Sequence, residues 1–151
     1  ALGAVKRRIE RIMKTSNQTL FDNILSTHSH ILKRVEGALG SVHGLGLSEY
    51  LVLHRLSAAP TKMMSRVELA DQVGLTASGV TRLLQPMEKI GLVQRKINER
   101  DARKSMVELS STGARKFTEA QVSFEESLET IFDTLSNQER QSLSSSLKLI
   151  A

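Results

Sequence analysis

Residues 65–91 read SRVELADQVGLTASGVTRLLQPMEKIG, and this stretch decides the fold. Ser65 and Glu68 have the spacing of a capping box, in which each side chain accepts the backbone N–H of the other residue. A short helix is therefore predicted over residues 66–73. Gly74 is expected to end this helix, because glycine readily adopts the left-handed conformation of a helix C-cap.

A second helix is predicted over residues 76–90. Thr76 is a residue type that favours the N-cap position, and Leu75 and Val80 occupy the two positions of a hydrophobic staple. Gly91 is expected to close this helix. Two helices separated by so short a turn have the layout of a helix-turn-helix motif, in which the second helix is the recognition helix.

The neighbouring segments are predicted to form helices and a hairpin. Apolar residues recur at three- and four-residue steps over residues 19–42, which indicates a long first helix. Ser48 is expected to cap a second helix that Pro60 stops. Residues 92–97 and 105–109 are short runs that contain β-branched residues, so a two-stranded hairpin with a basic tip is predicted between them.

Two further helices are predicted at the C-terminal end. Ser110 is expected to open a long helix with an apolar stripe, and Ser136 with Glu139 forms a second capping box before the last helix. The fold class is therefore mainly α with a small β-hairpin wing, that is, a winged helix-turn-helix domain with long flanking helices.

Composition narrows the class of function. The 151 residues carry a net charge of +5, with nine Lys or Arg against five Asp or Glu in residues 61–104, and four against seven in residues 105–151. The absence of cysteine excludes disulfides and thiolate metal sites. An enzyme is not expected, because there is no Gly-rich phosphate loop and the four histidines are scattered. No apolar run approaches the ~20 residues that cross a bilayer, so a cytoplasmic protein without a membrane partner is expected.

Two stretches carry a family resemblance. Residues 75–95, LTASGVTRLLQPMEKIGLVQR, resemble the recognition helix and first wing strand of MarR-family winged-helix transcription regulators. Residues 100–113, RDARKSMVELSSTG, resemble the wing signature of the same family. The resemblance covers roughly residues 19–151. It departs at Asn98, where the family often has Asp at the opening of the wing.

The resemblance implies a division of the chain. Residues 1–18 would be an N-terminal extension, which we suspect to be partly non-native over its first twelve residues. A dimerisation helix would follow over residues 19–43, a winged helix-turn-helix region over 44–110, and C-terminal dimerisation helices over 111–151. The protein would be a sequence-specific regulator that binds double-stranded DNA as a homodimer at a pseudo-palindromic operator. It is expected to act as a repressor that a small anionic or aromatic effector releases, without a cofactor.

The predicted DNA contacts divide into three groups. Polar residues at the start of the recognition helix can reach bases or phosphates, and Arg82 can bond a guanine through two N–H groups. Gly79 would let the backbone approach the DNA. Other cations and hydroxyls are better placed for phosphates, and the wing arginines are expected to enter a minor groove. The alternative is a solvated helix face and a solvated hairpin. The complete set is Ser65, Arg66, Thr76, Ser78, Gly79, Thr81, Arg82, Gln85, Lys89, Arg100, Arg103 and Lys104.

The effector-site prediction rests on fewer signals. His28, Tyr50 and His54 lie on helices that would flank the effector cleft, although a structural role is the alternative for each. A metal-responsive regulator is a second alternative. His28 and His30, however, are two residues apart and point about 200° apart on a helix, so they need further ligands from elsewhere to share an ion. A winged-helix module that binds proteins rather than DNA is the third.

Overall fold

The computed structural model describes residues 3, 16–98 and 101–151, without the side chains of residues 98 and 101–104. The suspected non-native origin of residues 1–12 therefore concerns a segment that lies almost wholly outside the described residues. The chain forms two compact units, residues 1–34 and residues 35–151. The elements are α1 (Asn17–His43), α2 (Leu47–Ala58), β1 (Met63–Ser65), α3 (Arg66–Val73), α4 (Ala77–Lys89), β2 (Val93–Asn98), β3 (Asp101–Leu109), α5 (Ser111–Phe132) and α6 (Asn137–Lys148).

The helix-turn-helix prediction is confirmed. The Ser65 hydroxyl accepts the Glu68 N–H, while Glu68 Oε2 accepts the Ser65 N–H at 2.8 Å. Gly74 has φ 68°, the left-handed conformation expected of it. Thr76 Oγ1 accepts the Gly79 N–H at 3.0 Å, so α4 begins with the predicted cap.

The start of α2 differs from the prediction. The N-cap is Gly46 rather than Ser48, and the first helical residue is Leu47. The Gly46 N–H donates to Glu49 Oε2 at 2.8 Å, so the carboxylate replaces the hydroxyl that the prediction placed there. The prediction of a serine cap was therefore wrong by two residues.

The sheet has three strands rather than two. β3 is the central strand and pairs with β1 and β2, both antiparallel, with Val107 opposite Met64 on one side and Arg95 on the other. β1 is three residues long, too short to show an alternating pattern. β3 begins at Asp101 instead of residue 105, so the predicted loop is shorter than expected.

Both C-terminal helices begin at the predicted caps. The Ser110 hydroxyl accepts the Gly113 N–H at the start of α5, and the Ser136 hydroxyl accepts the Glu139 N–H at the start of α6. The Arg140 side chain donates to the Phe132 carbonyl at 2.7 Å, which ties α6 to the end of α5.

The core lies in the second unit, among α2, α3, α4 and the sheet. Most of its members are aliphatic side chains that solvent hardly reaches, since the chain has only five aromatic residues, of which Tyr50 and Phe117 are buried. The largest fully buried ones are Leu39, Leu53, Leu56, Leu69, Leu84, Met87, Val52, Val80, Val93 and Val107.

Candidate nucleic-acid interface

Helix α4 has one buried face and one exposed face. Val80, Leu84 and Met87 are completely buried, at the three- and four-residue steps of an amphipathic helix. The opposite face is polar and exposed at the same steps, so its side chains are neighbours along the helix. Its exposed members are Ser78, Arg82, Gln85 and Lys89.

The two cations of this face form no ion pair with any described residue. None of the ion pairs found in the described part of the structure involves Arg82 or Lys89. The helix is 13 residues long, about 20 Å at 1.5 Å per residue. The exposed face of α4 therefore presents a row of donors with positive charge.

The hydroxyls of the first turns are already engaged in part. Thr76 Oγ1 caps the helix and lies 3.2 Å from Ser78 Oγ, and Thr81 Oγ1 donates to the Ala77 carbonyl at 2.9 Å. Both threonines retain acceptor capacity, but the Thr81 O–H is used inside the helix. Ser78, by contrast, holds its hydroxyl at the exposed entrance of α4.

The structure of α4 explains why a glycine occupies position 79. A Cβ at this position would lie 3.1 Å from Thr76 Oγ1 and 3.7 Å from Leu75 Cβ. That first distance is tight for the capping hydroxyl. The small residue therefore leaves room for the N-cap, a constraint that the sequence-based interpretation did not include.

Arg66 is not free in solvent. Its Nη2 lies 3.4 Å from Glu88 Oε1, and its side chain is only 21% exposed. Arg95 Nη2 lies 4.0 Å from the other oxygen of Glu88. One carboxylate near the end of α4 thus connects the start of α3 with β2. Sequence reasoning missed Glu88, because its two partners are 22 residues before it and seven residues after it.

The wing carries cationic residues in strand β2 as well as at its tip. Lys96 Nζ lies 3.6 Å from Glu108 Oε2, which also accepts a hydrogen bond from Gln94 Nε2. Arg95 and Lys96 were not among the predicted contacts, although two adjacent cations in a predicted wing strand were an available signal. Of the predicted wing residues, Arg100 lies outside the described residues, and Arg103 and Lys104 are placed only by their backbone in β3.

The predicted effector residues lie in two different environments. Tyr50 is buried in an aromatic cluster, with ring centroids 4.5 Å from Phe124 and 5.6 Å from Phe117. The His54 ring is parallel to the Tyr50 ring at 6.3 Å and is only half-buried. His28 is exposed on the part of α1 that belongs to the first unit.

Burial changes the chemistry of this tyrosine. The low-dielectric surroundings of Tyr50 raise its pKa, and the negative charge of Glu125 raises it further. The phenol therefore stays neutral to a higher pH than an exposed tyrosine does.

The described residues lack both a metal-binding cluster and a membrane-spanning helix. No cluster of three or more His, Asp or Glu side chains there could hold a metal ion. Nor does that part of the chain contain a helix long and apolar enough to cross a membrane.

Comparison with known proteins shows what the chain is similar to. Residues 43–104, which include the helix-turn-helix and most of the wing, match the model of the MarR family. Over these residues, which make up less than half of the chain, the protein is similar to the MarR family. A curated relative, the HTH-type transcriptional regulator PrsX of Escherichia coli, is 31% identical over 71 residues. That alignment covers 47% of this chain and only 43% of PrsX, so the chain spans less than half the length of this relative.

Solved structures show the same fold. The Streptomyces coelicolor MarR-family regulators Sco3205, crystallised with DNA, and AbsC match with TM-scores of 0.84 and 0.83 at 19% and 24% identity. Each match covers 88% of this chain, and 84% and 90% of the other chain respectively. A mutant of Escherichia coli MarR complexed with operator DNA matches at 0.79 and 21% identity, over 87% of this chain and 92% of that one. The predicted mainly α, winged-helix fold is thereby confirmed.

The buried Tyr50 allows a direct titration, because it is the only tyrosine and there is no tryptophan. We expect the ultraviolet absorbance of the phenolate to appear only above the ordinary pKa of about 10. Unfolded chains ionise this group at a lower pH than folded ones, so its stabilising contribution is present below pH ~10 and is lost as the pH rises through the folded pKa.

The control for this titration is Glu125→Gln, which removes the smaller cause of the shift and leaves burial. It should move the midpoint part of the way back. A wild-type midpoint at or below the value in denaturant would contradict the burial of Tyr50.

Proposed function

We propose that this protein is a sequence-specific regulator of transcription that binds double-stranded DNA through α4 and the wing. The observation that carries the proposal is the exposed polar face of α4, whose two cations have no carboxylate partner in the described part of the chain. Two solved relatives of the same fold are described as bound to DNA, one of them to operator DNA. These complexes support a nucleic-acid partner rather than a protein partner.

The residues proposed to contact the bases lie on the exposed face of α4. A helix of this width enters a major groove, where each base pair presents a distinct pattern of donors and acceptors. Arg82 is suited to a guanine, and Gln85 to an adenine. Ser78 is exposed near the N-terminus of the helix, where hydroxyls commonly bond phosphates or base edges.

The remaining predicted residues are proposed to contact the phosphate backbone of the DNA. Lys89 is exposed at the end of α4, and Ser65 lies at the start of α3. Arg66 must exchange its Glu88 partner for a phosphate if it contacts DNA, or share the two. The wing, with Arg100, Arg103 and Lys104, is proposed to reach a minor groove.

A homodimer would place two such helices on one face of the DNA. Each unit of the chain exposes large apolar side chains: Leu20, Phe21, Ile24 and Leu25 in the first, and Leu143, Leu147, Leu149 and Ile150 in the second. Between α5 and α6 lies an open groove of about 550 Å³, lined mainly by apolar side chains such as Phe132 and Leu147. We propose that a second copy covers these surfaces. The two-fold symmetry then calls for a pseudo-palindromic operator with half-sites about 34–36 Å apart.

The regulatory part of the proposal is repression that a small anionic or aromatic compound relieves. The aromatic cluster of Tyr50, Phe117 and Phe124 bounds a half-buried imidazole, His54, at the contact between α2 and α5. An effector that favours one arrangement of these helices would shift the population that binds DNA.

Arg82→Ala tests the reading helix. We expect affinity for an operator selected from random duplexes to fall by about 30-fold or more, because the homodimer loses one bidentate base contact in each half-site and each is worth roughly 1–3 kcal/mol. The base preference should relax at one position in each half-site. Fluorescence anisotropy on a panel of single-base operator variants measures both effects.

Arg115→Ala is the matched control for that experiment, since it removes the same charge from an exposed position on α5. A uniform loss across all sequences would make Arg82 a phosphate contact only. Equal losses in the two variants would contradict the assignment of α4.

The double change Arg100→Ala, Arg103→Ala tests the wing. For each phosphate that the variant no longer neutralises, the slope of log affinity against log salt should fall by about 0.9. Measurement of the dissociation constant at a series of salt concentrations gives that slope. The double change to lysine keeps the charge and should keep the slope, whereas unchanged affinity of the alanine variant would sink the wing assignment.

Leu147→Glu tests the dimer surface. A charge in the proposed interface should weaken self-association by about tenfold or more, as expected when an apolar side chain at the centre of an interface is replaced. Sedimentation velocity over a dilution series measures this change. Val67→Glu introduces the same charge at an exposed apolar position on α3 and should leave association unchanged. A monomeric wild-type protein would refute this part of the proposal.

A further inference from the structure

The first turn of α5 is hydrogen-bonded to the residues that directly follow α4. Ser110 Oγ lies 2.6 Å from the Gly91 carbonyl oxygen and 2.9 Å from the Leu92 carbonyl oxygen, and it accepts the Gly113 N–H at 2.9 Å. The Ser110 backbone N–H also donates to the Leu92 carbonyl at 3.2 Å. One hydroxyl therefore caps α5 and donates to the carbonyls that follow α4.

Gly113 brings the two backbones into direct contact. A Cβ on Gly113 would lie 2.0 Å from the Leu92 carbonyl oxygen and 3.0 Å from the Leu92 carbonyl carbon. These are backbone atoms, which cannot move aside as a flexible side chain could. Glycine is required here by space, since its φ is not among the positive values of the chain.

Leu92 is itself fixed to α4. Its N–H donates to the Met87 carbonyl at 2.9 Å, and the preceding Gly91 N–H donates to the Glu88 carbonyl at 3.1 Å. The Leu92 side chain is buried, with 4% exposed. A displacement of the first turn of α5 must therefore displace the end of α4 with it.

The rest of α5 is held in a different way. Farther along, its contacts with α2 run through the rings of Phe117 and Phe124 on Tyr50, and His43 Nε2 lies 2.9 Å from Ser123 Oγ. Side chains can change rotamer, whereas the backbone contact at Gly113 has no such freedom. The helix is thus attached rigidly at one end and through side chains along its length.

We propose that Ser110 and Gly113 are positioning residues that fix the angle between α5 and the reading helix, and so set the half-site spacing that the dimer accepts. This inference rests on the proposed function, in which α5 and α6 carry the dimer and α4 reads DNA. It adds a determinant of operator specificity that touches no DNA.

The test is a spacing profile. Operators are made with base pairs inserted or deleted one at a time between the half-sites, and anisotropy gives the dissociation constant of each, together with that of a duplex holding a single half-site. Wild-type protein should prefer one spacing. Gly113→Ala should bind that spacing about tenfold more weakly, as for the loss of a base contact in one half-site, and should favour a different spacing. Its affinity for the single half-site should stay the same.

Three further variants control this experiment. Thr61→Ala removes an exposed hydroxyl between α2 and β1, outside the helices proposed to carry the dimer and to read DNA, and should keep the wild-type profile. Ser110→Ala removes the hydroxyl without adding bulk, and should widen the range of accepted spacings. If Gly113→Ala does not fold, the spacing profile of Ser110→Ala alone tests the inference. Ser110→Thr keeps a hydroxyl at this position and should have the wild-type profile.

The outcomes separate this inference from the proposed function. Failure of wild-type protein to bind any duplex would refute the proposed function, and the spacing inference with it. If the wild-type protein binds DNA and a folded, dimeric Gly113→Ala variant has the wild-type spacing profile, the inference alone is overturned. If Gly113→Ala does not fold, an unchanged profile in Ser110→Ala has the same consequence. Equal weakening at every spacing and on the single half-site would also overturn it, because that result indicates general destabilisation.

Discussion

The burial of one face of α4 is the constraint on which the rest of the structure depends. Val80, Leu84 and Met87 are inaccessible to solvent, and the helix packs against α3, β2 and α2. Each such side chain contributes roughly 1.5–3 kcal/mol when it leaves water. With this face held inside, the helix can rotate little about its own axis, so Arg82 and Gln85 must face outward.

Electrostatics then divides the basic residues into two groups. Arg66, Arg95 and Lys96 lie beside Glu88 or Glu108, whereas the described ion pairs do not include the cations on the exposed face of α4. Ion pairs as exposed as that of Arg95 contribute only about 0–1 kcal/mol to stability. These ion pairs act mainly on orientation. Glu88 fixes the positions of the start of α3 and of strand β2 relative to the end of α4. A phosphate that approached Arg66 or Arg95 would compete with this carboxylate.

The backbone contact at Gly113 extends this arrangement beyond the helix-turn-helix. Close packing of Gly113 on Leu92 brings the backbone of α5 directly against the residues that follow α4. Packed interiors transmit displacement because they have few voids to absorb it. Helix α4, the ion pairs of Glu88 and the first turn of α5 are thus held together as one rigid group, while the aromatic contacts of Tyr50 lie farther along α5.

By itself the sequence determined the local structure of this protein. The caps at Ser65, Thr76, Ser110 and Ser136 and the turn at Gly74 were predictable, because each depends on residues within a few positions of one another. The polar face of α4 followed from the same short-range periodicity. Only the tertiary structure decided what joins distant segments. β1 exists because β3 offers it a partner more than 40 residues away, Arg66 meets Glu88 across 22 positions, and Gly113 contacts Leu92 across 21. Such pairings depend on how the helices pack, and no local pattern in the chain records them.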